Sequence, residues 1–131
     1  MATTLSVHIV TPERKVFSGP ASELVLPAWE GELGVLPDHD QLLTLLRAGT
    51  CTVASPEGAK VWVVGRGFAE IGPDSVTILT SSAVSPKEID RAKAQKDLDA
   101  AERALLDVEV GTAAHAMAQV ALEQAQALLS A

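Results

Sequence analysis

The stretch AVSPKEIDRAKAQKDL, Ala83 to Leu98, decides how this chain is divided. Upstream of it, β-branched residues cluster in short runs between glycines and prolines. Downstream of Pro86 there is no proline and a single glycine, Gly111. Ser85-Pro86-Lys87-Glu88 has the form of a helix start. Ser85 can cap, Pro86 takes the first helical position where a missing N–H costs nothing, and Glu88 follows three residues after the cap. Ala94, Leu98, Ala101, Leu105 and Val108 then recur at steps of four and three, the apolar stripe of a helix. Gly111-Thr112 breaks the stripe, and Ala118, Leu122, Ala125 and Leu129 resume it. So short a connection makes the two helices antiparallel neighbours. About half of their seam is alanine. A buried methylene is worth about 0.8 kcal/mol and alanine brings few, so the hairpin is expected to dock weakly and to be able to separate.

Upstream of Ser85 the pattern is that of strands. LSVHIVT (5–11) alternates, and KVFSG reads as a short strand ending at a turn. SELVLPA reads as a strand stopped by Pro27, because proline donates nothing to a ladder. QLLTLLRAG, TCTVASP, AKVWVVG, GFAEIGP and SVTILTS follow at short intervals, and AKVWVVG is apolar enough to be covered on both faces. SPEG (55–58) and GPDS (72–75) are turn sequences. Many short strands with frequent turns indicate a sandwich or barrel. The predicted fold is therefore mostly β plus α: a β-sandwich over residues 1–85, then an antiparallel two-helix hairpin over residues 86–131.

The totals narrow the function. The chain has 131 residues, a formal net charge of −7 and 3% aromatics. Such a surface repels nucleic acid and anionic lipid, and it has too few aromatic side chains for a base-stacking platform. No apolar run approaches the length that spans a bilayer, so membrane insertion is not expected. MATTLSVHIV lacks the basic start and cleavage site of a signal peptide. The one cysteine, Cys51, alternates with Thr50 and Thr52 in a strand-like run and reads as a buried, inert thiol.

Chemistry-bearing residues concentrate in LPAWEGELGVLPDHDQLL, Leu26 to Leu43. Glu30, Glu32, Asp38 and Asp40 surround His39. A metal site is not expected, because neighbours on an extended segment point opposite ways and His8, His39 and His115 share no ligand spacing. Glu30 and Glu32 lack the pocket and nucleophile that acid–base catalysis needs. From the residues alone, the segment reads as an exposed, glycine-shaped loop with solvated charges. Gly65-Arg66-Gly67 follows a strand but opens no helix, so it reads as a tight β-turn rather than an anion loop. No catalytic residue, metal or cofactor is expected.

The run Glu30-Gly31-Glu32-Leu33-Gly34-Val35-Leu36-Pro37-Asp38-His39 closely resembles the EGELG(I/V)xPxH signature of the epsilon subunit of rotary F-type ATP synthases. The flanks agree: Val10-Thr11-Pro12-Glu13 through Val16-Phe17-Ser18-Gly19 resembles the family's VxxPExxVFSG opening. Leu42-Leu43-Thr44 and Leu46-Arg47-Ala48-Gly49 fit as well, as does the order of β-rich half and alanine-rich hairpin. The resemblance covers essentially the whole chain.

The resemblance implies a non-catalytic subunit of the central stalk, a peripheral part of the complex on the cytoplasmic face of a bacterial inner membrane. Its partners would be the gamma subunit, the c-ring and, through the hairpin, the alpha/beta catalytic head. Glu30, Gly31, Glu32, Leu33 and His39 fall on family positions that meet the rotor, where Leu33 would supply an apolar contact. Some members bind ATP through (I/L)DxxRA on the first hairpin helix. Here Ile89, Asp90, Lys93 and Ala94 stand in that motif, with a lysine that lacks arginine's planar fork. Gln124 and Leu128 replace two further arginines, so ATP binding is expected to be weak or absent. No Lys or Arg follows Arg103, and Glu123 is the only charged side chain of the second helix, which argues for weak inhibition of ATP hydrolysis. The rival readings are a generic β-sandwich and hairpin interaction module, and a small hydrolase using Glu30, Glu32 and His39.

Overall fold

The computed structural model of the protein describes residues 4–131. Ten strands come first: β1 (Leu5–Val10), β2 (Lys15–Ala21), β3 (Glu23–Ala28), β4 (Gly31–Val35), β5 (Leu42–Leu46), β6 (Gly49–Ser55), β7 (Gly58–Val64), β8 (Gly67–Ile71), β9 (Ser75–Thr80) and β10 (Ala83–Val84). Two helices follow, α1 (Arg91–Asp107) and α2 (Ala113–Ser130). The strands form two layers. One runs β4-β3-β6-β7-β10 and the other β5-β8-β9-β1-β2, with β1 and β9 parallel and every other pair antiparallel. The layers are continuous at one corner, where Ala28 of β3 pairs with Leu46 of β5. Phe17 of β2 and Trp62 of β7 pack across the layers, with ring centroids 4.9 Å apart.

The period-two pattern explains the core. Leu5, Val7 and Ile9 of β1 point inward, as do Leu24 and Leu26 of β3, Cys51 and Val53 of β6, and Val76 and Ile78 of β9. Each fully buried Val, Leu or Ile contributes about 1.5–3 kcal/mol relative to exposure, and these residues are all but inaccessible. SPEG and GPDS make the β6–β7 and β8–β9 turns, with Ser55 opposite Gly58 and Gly72 N–H donating to the Ser75 carbonyl at 2.8 Å.

Several local expectations change. Pro27 does not end its strand, because β3 continues through it to Ala28. Its carbonyl accepts from Arg47 N–H at 2.9 Å, on the side where β3 leaves β6 and turns to β5, so a missing N–H there breaks no ladder bond. Likewise β2 runs on through Pro20, which an edge strand tolerates. GELGV is a strand rather than a loop, paired along its length with β3. Gly65-Arg66-Gly67 is not a hairpin turn, since β7 and β8 belong to different layers and the segment crosses between them. A Cβ on Gly67 would collide with the Leu79 carbonyl oxygen. In AKVWVVG, Val63 and Val64 are the side chains that are fully buried.

The helix start also differs. Ser85-Pro86-Lys87-Glu88 makes one 3-10 turn, and Ile89 returns to extended backbone. The Ser85 hydroxyl bonds the Glu88 carboxylate at 3.0 Å instead of a backbone N–H. Asp90 is the true cap, accepting from Lys93 N–H at 3.0 Å. Thr112 caps α2 by accepting from His115 N–H at 3.1 Å. The stripe holds: Ala94, Ala101, Ala118 and Ala125 are buried between the helices, with Leu98, Leu105, Leu122 and Leu129 half-buried. The hairpin lies on β6 and β7 through α2, over Val63.

Gly67→Ala is expected to cost about 1–3 kcal/mol in urea unfolding, because its Cβ meets backbone that cannot give way. Gly34→Ala, where a Cβ meets nothing within 4 Å, is expected to stay within about 0.5 kcal/mol.

Candidate functional site

The acidic signature is the tip of a β-hairpin. Ala28 pairs with Gly31, so Trp29 and Glu30 form the two-residue turn. Gly31 sits at φ +134, a backbone conformation that L side chains rarely adopt. Glu30, Gly31 and Glu32 are exposed. Leu33 is half-buried against the core, so only part of its side chain is left for a partner.

His39 is elsewhere. It lies past the far end of β4, on the connection to β5, with Nδ1 2.6 Å from the Asp40 carbonyl oxygen. Four steps of strand, about 14 Å at about 3.4 Å each, separate Gly31 from Val35 before that connection begins. Asp38, at φ +67, shapes the connection and donates its N–H to the Pro73 carbonyl at 2.7 Å. Glu30 to Leu33 thus come together and His39 does not join them. The hydrolase reading needs them in one pocket. Among the described residues, no group of three or more His, Cys, Asp or Glu side chains could hold a metal ion.

The structure adds an apolar face. Leu43 and Leu45 of β5 point away from the core and are 66% and 63% exposed. Phe68 lies opposite Leu45 on β8, also exposed, and Leu79 of β9 continues the row opposite Phe68. Trp29 borders it, its N–H donating to the Leu45 carbonyl at 2.9 Å. A signal existed in the sequence: LLTLL has leucine at both parities, so one face of that strand must present leucine outward.

Behind the turn stands a charged cluster. The guanidinium carbons of Arg47 and Arg66 lie 5.2 and 5.1 Å from the Trp29 ring centroid. Both arginines also face Glu123 of α2. Arg66 donates through Nε at 2.9 Å and Nη2 at 3.3 Å. Ala48 N–H donates at 3.0 Å, and Arg47 Nε lies 3.8 Å away. Burial pushes the Glu123 carboxyl up, but the Arg66 and Ala48 hydrogen bonds and the charges of Arg66 and Arg47 outweigh it and hold it below the usual glutamate range. In the sequence Glu123 stands only as a lone charge. Its partners are more than fifty residues away, so no local pattern marks them.

The residues standing in the nucleotide motif have structural work. Asp90 caps α1, Lys93 Nζ pairs with Asp97 at 3.1 Å, and Ala94 is buried against α2. Ile89 is the extended residue before the cap. Arg91 donates to the carbonyls of Leu129 and Ala131, tying the start of α1 to the end of α2.

The family model described as "ATP synthase, Delta/Epsilon chain, beta-sandwich domain" matches residues 4–86. The chain belongs to this family. It is 42% identical to ATP synthase epsilon chain 2 of Ralstonia nicotianae, covering 97% of this chain and 91% of that one. It is 41% identical to the ATP synthase epsilon chain of Moorella thermoacetica, covering 98% and 96%. Among solved structures it resembles a chain of the Euglena gracilis mitochondrial ATP synthase OSCP/F1/c-ring assembly, with TM-score 0.85 and 25% identity over 99% of this chain and 82% of that one. A chain of the Tetrahymena thermophila mitochondrial ATP synthase central stalk and c-ring shares the fold, with TM-score 0.66 and 13% identity over 96% and 94%. The curated relatives are thus epsilon chains matched over more than nine-tenths of their length, and the resemblance drawn from the EGELGVLPDH signature agrees with them. No helix among the described residues is long and apolar enough to cross a membrane.

Two outcomes are expected of the isolated chain. Titration with ATP yields no affinity tighter than about 1 mM, because lysine replaces the arginine fork. Cys51, whose thiol burial pushes up to about 12, reacts with a disulfide reagent at neutral pH only when urea opens the fold.

Proposed function

We propose that this chain is a non-catalytic rotor subunit of the central stalk of a proton-transporting ATP synthase, a peripheral component on the cytoplasmic face of a bacterial membrane. In this reading the sandwich, residues 1–85, binds the gamma subunit and the c-ring, and residues 86–131 are a regulatory element. The observation that carries it is the uncovered outer face of the β5-β8-β9-β1-β2 layer. The hairpin covers β6 and β7 of the opposite layer, while Leu43, Leu45 and Phe68 stay open to solvent. An apolar row of this kind beside an acidic turn is the mark of a docking surface with a charged rim.

The division of labour follows from the chemistry. Leu43, Leu45 and Phe68 bury against gamma and supply affinity. Glu30, Gly31 and Glu32, on a tight turn with exposed carboxylates, meet polar and basic groups of the c-ring loops. His39, at the other end of β4, contacts gamma. Torque transmission needs a contact that does not slip, and a two-residue turn braced by a full strand pair is stiff. No group here has to react. The α2 helix offers no positive charge to an acidic partner, so the hairpin restrains hydrolysis weakly.

Leu45→Asp is expected to weaken binding to gamma by about 2 kcal/mol, roughly thirty-fold, in surface-captured titration. The double change Glu30→Ala and Glu32→Ala is expected to leave gamma binding intact and to lower ATP-driven proton pumping in reconstituted vesicles. Full pumping in that variant, or unchanged gamma affinity in the first, refutes the reading. Removing residues 112–131 from the assembled complex is expected to change ATP hydrolysis by less than about twofold. A several-fold rise shows the hairpin to be a strong brake.

A further inference from the structure

We propose that Glu123 is a charge latch that couples the position of the C-terminal hairpin to the Trp29-Glu30 turn. Its carboxylate holds α2 on Arg47, Arg66 and Ala48 N–H, and the same two guanidiniums flank the indole on which the turn rests. The latch is a property of the chain itself. Only its consequence for the rotor rests on the proposed stalk function.

Three observations converge. First, the polar docking of α2 is concentrated at one place. Glu123 takes three hydrogen bonds from the sandwich, and its neighbour Gln124 donates to Ser82 Oγ at 3.2 Å. Against this, the apolar part of the docking is thin: the buried alanines are spent between the two helices, and Met117 and Val120 of α2 remain exposed. When apolar burial is small, a single charge-assisted cluster decides whether the helix stays down.

Second, the receptor is built for close approach. A Cβ on Gly65 would collide with Ser81 Oγ and fall 2.7 Å from the Gln124 amide oxygen. Glycine at 65 lets α2 sit low enough for Glu123 to reach Arg66. Ala48 N–H, between β5 and β6, points out of the ladder and is satisfied by Glu123.

Third, the receptor is shared with the turn. Arg47 and Arg66 each stack on Trp29 while holding Glu123. Glu32, Arg47 and Glu123 line one cleft between β4 and α2. When α2 lifts, both arginines lose their carboxylate, and Glu32 becomes the nearest acidic group sharing the cleft with Arg47. Hairpin position is thereby written into the indole of the turn and the Glu32 carboxylate of β4 beside it.

The charged surroundings set the response to conditions. Glu123 is faced by Arg47 and Ala48 N–H from the β5–β6 connection, by Arg66 from the β7–β8 crossing and, across the cleft, by Glu32 of β4. α2 adds no other charged side chain, and its one further titratable group, His115, lies two turns away. A carboxyl held below its ordinary value when docked contributes full docking strength above the ordinary glutamate pKa. That contribution is lost as pH falls through the docked value. Salt weakens it as well, since Arg47 and Arg66 are 53% and 37% exposed.

The test uses the full chain and its Trp62→Phe form, in which Trp29 is the sole tryptophan. Glu123→Gln is expected to speed amide exchange across residues 113–130 by roughly tenfold, the size of one lost charge-assisted hydrogen bond, and to raise acrylamide quenching of Trp29. Strands β1, β6 and β9 keep their protection. Arg66→Lys, which keeps the charge and loses the fork, is expected to give a smaller effect in the same direction. Raising salt from about 0.05 M to about 0.5 M loosens α2 in the unsubstituted chain and leaves Glu123→Gln unchanged. Exchange of α2 within twofold of the unsubstituted chain overturns the latch. Faster α2 exchange with unaltered Trp29 quenching overturns the coupling. If Glu123→Gln strips protection from the strands as well, the salt series on the unsubstituted chain decides, and α2 protection independent of salt then refutes the proposal. Loss of gamma binding would speak to the rotor reading and leaves each of these outcomes unaffected.

Discussion

One backbone pair, Ala28 with Leu46, joins the two layers of the sandwich, and the layout of the whole acidic end depends on that corner. β3 serves β6 over Glu23 to Val25 and then has to leave it. Pro27 sits where the ladder changes partner and no donor is wanted. Gly49 passes close beneath it, with room for no Cβ, since one would lie 2.8 Å from the Pro27 Cβ. The corner fixes the direction of the Trp29-Glu30 turn, brings Arg47 beside the indole and sets Ala48 N–H facing outward. The acidic tip, the arginine pair and the end of the apolar row are neighbours because they share this junction.

The two outer faces of the sandwich have unlike fates. One is covered in cis by α2, through a compact polar contact with little apolar burial beside it. The other carries leucines and a phenylalanine in the open, although that surface would ordinarily cost solubility. The first cover is concentrated in one polar contact. The second face is apolar enough to want a lasting partner. The asymmetry is what the proposed stalk role calls for: one face held by a partner and the other held within the chain.

The change from strands to helices, the hairpin stripe and most strands are legible because each is written in a local period. β1, β6 and β9 alternate strictly, and the alanine and leucine positions of α1 and α2 fall on one face as spaced. The errors come from residues whose meaning depends on the layer around them. Proline reads as a stop at 27, yet the corner accepts it there, just as the edge strand accepts Pro20. Ser85 and Pro86 look like a cap and a first turn, but Ile89 turns extended and Asp90 repeats the signal closer to the stripe. GELGV looks like a loop because of its two glycines, and its pairing with β3 is a fact of register. For the site, the tip residues are visible as a signature. The distance of His39, the outward leucines and the partners of Glu123 are harder to see, since each is a relation between strands far apart in sequence.

The pairing of β1 with β9 has a consequence for how the chain comes into being. β1 lies between β2 and β9, so the strand that opens the sequence finds its second neighbour only at Ser75–Thr80. A nascent chain can make the β1–β2 ribbon early, but that layer stays open until β9 has left the ribosome. Contacts of such sequence separation are slow to form and leave unpaired edges exposed in the meantime. The helices emerge last, onto a surface whose Arg66 and Gly65 are already in place. The order of synthesis thus delivers the helices only after the strands they rest on are complete.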